Sequence, residues 1–156
     1  QDKPFNMKSL FDTGAHAEIL SRIEHLTPDS EGLWGKMKVG QMLHHCQFPL
    51  KIGLGRTNPN NKPNPMLKLM GKFFRKSLYD DKPWRHNLPT AKGLKVTEEK
   101  DFATEKDNLV ALINDFHQEK DKTEWDPHPV FGRFTPEQWG QMQYKHLDHH
   151  LRQFGV

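Results

Sequence analysis

Apolar residues recur at three- and four-residue steps along most of this chain, the spacing of amphipathic helices. From Thr13 to Leu26 the repeat places Ile19, Leu20, Ile23 and Leu26 on one face, and Thr27-Pro28-Asp29 ends it. A second helix is expected from near Lys38, with Val39, Met42, Leu43, Cys46 and Leu50 inward. Gly53 and Gly55 weaken it before the turn-forming run Asn58-Pro59-Asn60-Asn61-Lys62-Pro63. A third opens near Asp101 and carries Phe102, Leu109, Leu112, Ile113 and Phe116. The fourth, over 136–153, has the best-marked start: Thr135 as N-cap, Pro136 at the first helical position and Gln138 closing a capping box. Its inward stripe runs Trp139, Met142, His146, His149 and Gln153. Between the second and third helices lies a long crossover. It contains a short amphipathic helix, about Pro65 to Leu78, expected to pack over the domain, with a membrane-surface role as the weighed alternative. The rest of the crossover is rich in Lys, Pro and Trp, and such connections often cover functional sites. Lys95-Val96-Thr97 is the one strand-like fragment and is too short to build a sheet. The expectation is a single all-α domain over 1–156, a four-helix bundle with one long crossover.

Composition narrows the function more than the fold. A chain of 156 residues suits one core, and 34% hydrophobic content with a mean hydropathy of −0.88 demands a polar surface. A net charge of +3, with no block of five Lys or Arg, gives no case for nucleic acid. No apolar run approaches the ~20 residues of a membrane span. The single cysteine, Cys46, excludes an internal disulfide and reads as a small buried hydrophobe. The chain begins at Gln1; a cytoplasmic protein is expected, the alternative being an exported one whose signal peptide preceded Gln1.

The candidate chemistry is histidine-based. His146 and His150 stand four apart on the last helix, one turn above the other, a spacing at which both reach one ion. A catalytic ion usually has three protein ligands and an open position. The second helix offers His44 and His45, which diverge by about 100°. His45 shares a stripe with Met42, Pro49 and Ile52, with Gln41 one turn earlier, whereas His44 aligns with Gly40, Gln47 and Lys51. The pattern favours His45. Pro49 should also kink the helix beside it, having no N–H for the His45 carbonyl. A di-iron carboxylate bundle is excluded, because no helix has Glu-x-x-His and carboxylates such as Glu18 and Glu105 fall on polar stretches. Leu147 stands where H-E-x-x-H would place its Glu, and Asp148 points off the 146/150 face, so no catalytic base is identified. Gln41 and Gln153, each on a ligand stripe, are candidates to orient a ligand; Arg75, Lys76 and Arg85 are candidates to meet an anion.

Gln41-Met42-Leu43-His44-His45-Cys46, His128-Pro129-Val130-Phe131-Gly132, Thr135-Pro136-Glu137-Gln138-Trp139-Gly140 and the run from Tyr144 to Gly155 resemble the DinB/YfiT-like superfamily, within it an uncharacterised bacterial DinB-like family. The resemblance runs from Leu10-Phe11-Asp12 onward, and His146-x-x-His149-His150-x-x-Gln153 is its specific part. It implies a four-helix bundle holding one divalent ion by three histidines, which fall here on His45, His146 and His150, with His149 left to packing or to supporting a ligand. Zinc, nickel and ferrous iron all suit imidazole ligands. The resemblance further implies a metal-dependent enzyme acting on a small molecule, either a hydrolase or a transferase using a low-molecular-weight thiol. The alternative is a non-catalytic metal-binding or sensing bundle. A monomeric fold is expected, and the resemblance allows a homodimer through exposed helix faces.

Overall fold

The computed structural model describes residues 7–57, 62–88 and 95–156. Among the described residues the fold is all-α. The helices are α1 (Thr13–Glu24), α2 (Val39–His45), α3 (Gln47–Gly53), α4 (Pro65–Phe74), α5 (Phe102–Gln118) and α6 (Pro136–Gln153), and a 3₁₀ turn, Arg75–Leu78, follows α4. Extended pairing among the described residues is limited to the bridge between His128 and Gly132. Residues 95–97 form no strand, and the expected turn residues Asn58 to Asn61 lie outside the described residues.

The helix starts follow local chemistry. In α6, Thr135 Oγ1 accepts from the Gln138 N–H at 3.1 Å while Gln138 Oε1 accepts from the Thr135 N–H at 3.0 Å. At α5, Asp101 Oδ2 accepts from the Thr104 N–H at 3.0 Å and its hydroxyl at 2.7 Å. The expected second helix is two helices meeting at Cys46. Pro49 is the third residue of α3; it brings no N–H to the His45 carbonyl and its ring crowds that position, so the ladder breaks one turn upstream.

α2 and α3 pack on α5, α1 packs on α5 and α6, and α3 also meets α6. The fully buried side chains include Leu10, Ile19, Ile23, Met42, Leu43, Leu50, Leu109, Ile113, Phe116, Trp139, Leu147 and Leu151. Close approach explains two glycines. A Cβ on Gly53 would stand 2.9 Å from Phe116 Cε2, and one on Gly140 would stand 2.0 Å from Ser9 Oγ and 2.6 Å from Phe11 Cδ2. Gly140→Ala should therefore lower stability by about 2 kcal/mol through overpacking, read from a denaturant midpoint. An unchanged midpoint would show that the segment around Ser9 yields freely.

Three expectations need correction. α6 was expected to bury one stripe, but Gln141, Gln143, Tyr144 and Lys145 are buried as well. α1, α3, the 3₁₀ turn and the N-terminal segment surround it, so these polar groups find protein partners. Tyr144 donates to Glu18 at 2.5 Å, Gln143 Nε2 to the Pro49 carbonyl at 2.9 Å, and Lys145 Nζ to Asp80 Oδ1 at 2.6 Å. Glu105, placed on a polar stretch by pattern, is buried, because His44 Nδ1 at 2.9 Å and Gln47 Nε2 at 2.6 Å reach it from α2 and α3. Finally, α4 does not pack its apolar face over the domain. Gly71 is its one buried residue, and Met66, Leu67, Leu69, Met70, Phe73 and Phe74 are exposed.

Candidate metal centre

Three imidazoles converge where the end of α2 meets the C-terminal half of α6. His45 is the last residue of α2, and His146 and His150 project from successive turns of α6. The ring centroids form a near-equilateral triangle of 5.0, 4.7 and 4.7 Å, and one ligand atom from each lies within 4.8 Å of the others. His45 Nε2 and His146 Nε2 stand 3.1 Å apart. Two imidazole nitrogens on one zinc ion, each about 2.05 Å from it, would stand about 3.4 Å apart in a tetrahedron. The observed separation is close to that, so small side-chain motions suffice to fit an ion.

Tautomers and charge suit a cation equally well. Gln153 Nε2 donates to the Trp34 carbonyl at 3.0 Å, which turns Gln153 Oε1 toward His150 Nδ1 at 2.8 Å. An amide oxygen only accepts, so His150 carries its hydrogen on Nδ1 and presents a lone pair at Nε2. Burial, then the neighbouring His45, pushes the His150 imidazole down to about 3. Burial first, then His150 and His45, holds His146 well below its ordinary range. Burial keeps both rings neutral at pH 7, so no imidazolium charge opposes an incoming ion. His146 Nδ1 is buried with no hydrogen-bond partner among the described residues. His45, His146 and His150 form the group of converging ligand residues there, with no carboxylate or thiolate among them.

The structure brings together the three predicted ligands and separates the others. His44 turns to Glu105. His149 is half-buried beside Trp84 and Trp34, with ring centroids at 5.3 and 5.7 Å. Gln153 adjoins the site, but Gln41 does not: its Oε1 accepts from the Lys38 N–H at 2.8 Å and its amide donates to the Glu98 carbonyl at 3.0 Å, so it secures the start of α2. Arg75 is spent on the carbonyls of Phe131 and Arg133 and on the Phe134 ring, not on an anion. Cys46 is buried against Met42, and burial pushes its thiol far up, which leaves no thiolate for catalysis.

Sequence reasoning expected the Trp-bearing crossover to cover a functional site but did not identify which aromatic rings meet the histidines. Phe48 meets His45 edge-on at 6.4 Å, Trp84 meets His146 at 6.2 Å, and Trp34 stacks on His86 at 3.6 Å and 3°. Trp84 is held by its indole N–H donating to the Ser77 carbonyl at 2.8 Å, and the Lys145 ammonium donates to the same carbonyl at 2.5 Å. Burial would raise the Asp80 carboxyl, but its hydrogen bond and ion pair with Lys145 outweigh that and hold it below the usual range. The tryptophans of the irregular segments were the available signal, though no periodicity says where they fold.

Residues 6–155 match the model of the family described as protein of unknown function DUF1569, and the chain belongs to that family. No curated protein and no solved structure matches it.

Proposed function

We propose that the protein holds one divalent metal ion through His45, His146 and His150, in a four-helix bundle of the DinB-like kind, and uses it as a metal-dependent enzyme. The observation carrying this reading is the triangle of three imidazoles with no fourth His, Cys, Asp or Glu in the group among the described residues. When bound, such an ion supplies Lewis acidity and lowers the pKa of a coordinated water or thiol. The chain's own residues do the rest. Gln153 fixes the His150 tautomer, Phe48 and Trp84 limit solvent around the rings, and Lys145 pins the crossover that carries Trp84. Among the described residues no carboxylate joins the three histidines and Cys46 is inert, so activation would fall to the ion. Hydrolysis and transfer of a low-molecular-weight thiol are the two reactions this arrangement suits. Zinc, nickel and ferrous iron all fit the donors.

Metal analysis of the purified protein should find one equivalent of ion. Cobalt(II)-loaded protein titrated with a small thiol should then gain a sulfur-to-cobalt charge-transfer band, the sign of an open position. A spectrum that ignores thiol, azide and water exchange alike would favour the non-catalytic metal-binding or sensing bundle instead.

Gln153 gives a more local test. Gln153→Met keeps the volume but removes the acceptor at His150 Nδ1, and metal affinity should fall ten- to a hundredfold. Parent-like affinity in a competition titration would show that His150 needs no such orientation.

A further inference from the structure

The net charge of +3 conceals a strong asymmetry: between Glu31 and Asp80 the chain has no acidic residue and nine Lys or Arg. α4 lies inside that stretch. At about 100° per residue, Met66, Leu67, Leu69, Met70, Phe73 and Phe74 occupy an arc about 160° wide. Gly71 lies about 120° from the middle of that arc, and it is the point at which the helix touches the domain; a Cβ there would stand 3.0 Å from Phe131 Cδ1 and 3.1 Å from Val130 Cγ1. The apolar arc therefore faces away from the protein, with Phe73 81% and Met66 67% exposed. Lys68 and Lys72 occupy the remaining face, and Lys62 and Lys76 flank the helix. None of these four lysines makes an ion pair among the described residues. Arg75 anchors the end of the helix through the Phe131 and Arg133 carbonyls, so the face is presented on a fixed support.

We propose that α4 docks the protein on an anionic lipid bilayer, with its apolar arc in the headgroup–acyl boundary and its lysines among the phosphates. An outward apolar face with unopposed cations is the pattern of an interfacial helix. A second copy of the chain fits less well: it would cover the apolar arc but leave the lysines on the other face unopposed, since α4 carries no carboxylate to meet them.

The test is co-sedimentation of the full chain with large vesicles of phosphatidylcholine, with and without phosphatidylserine. Binding should require phosphatidylserine and weaken as salt is raised. Lys68→Gln with Lys72→Gln should weaken it about thirtyfold, at about 1 kcal/mol per lysine. Leu69→Ser with Phe73→Ser should abolish it while leaving the thermal midpoint unchanged, because both side chains are exposed. Absence of sedimentation, equal sedimentation without phosphatidylserine, or insensitivity to both double variants would overturn the proposal. A dimer in sedimentation velocity that Phe73→Ser dissociates, without vesicle binding, would assign the face to a second copy.

Discussion

His146→Ala should purify without bound metal and should lose the part of its thermal stability that depends on free metal concentration. An ion that binds only the folded protein stabilises it by RT ln(1 + [L]/Kd), about 4 kcal/mol at a thousandfold excess over Kd. The parent's midpoint should climb with added zinc while the variant's stays flat. His45→Ala and His150→Ala should behave alike, each weakening the ion at least tenfold, about 1.4 kcal/mol. His44→Ala and His149→Ala supply the contrast. His44 is engaged with Glu105, and His149 packs on Trp84, so both should retain one equivalent of metal. Metal loss in His44→Ala with retention in His45→Ala would refute the ligand set, and so would parent-like metal content in His146→Ala.

Acid should destabilise the protein through His128, which lies outside the three-histidine group. Its Nδ1 accepts from the N–H groups of Val130, at 3.0 Å, and Phe131, at 3.3 Å. Burial, aided by the Arg75 charge, pushes its imidazole down to about 4. In the unfolded chain the same group titrates near 6.5. As pH falls below about 6.5 the unfolded chain takes up a proton that the folded protein refuses, so stability drops by up to about 1.4 kcal/mol per pH unit. The loss ends near pH 4, where folded His128 is protonated too, and totals about 3 kcal/mol. His128→Asn keeps an acceptor near the Nδ1 position and cannot be protonated in this range. The difference in stability between parent and variant should therefore change by that amount between pH 7 and pH 4, other titrations cancelling. A pH-independent difference would show that His128 is solvated or protonated in the folded protein.

The local parts of this molecule were legible in its sequence. The start of α6 rests on residues within four positions of one another, and the His146–His150 spacing follows from helical pitch alone. The choice of His45 over His44 needed only the stripe through Met42, and Pro49 announced the break that falls at Cys46. What depends on distant neighbours was not legible. Glu105 reads as surface until His44 and Gln47 are folded against it. Periodicity showed that α4 is two-faced but not which face meets the domain, a choice made by the contact of Gly71 with Phe131 and Val130. Trp34 and Trp84 sit in irregular segments, where no repeat assigns a direction.

His45 and His146 are 101 residues apart in the chain, whereas His146 and His150 are neighbours on one helix. An ion held by all three is therefore a removable cross-link. A permanent bond closing a loop of about 100 residues narrows the unfolded ensemble by about 4.7 kcal/mol. The i,i+4 pair can already take up metal in a partly formed α6, before α2 arrives. Folding in the presence of metal would then become a capture step, in which His45 closes the loop onto an ion that the C-terminal helix already carries.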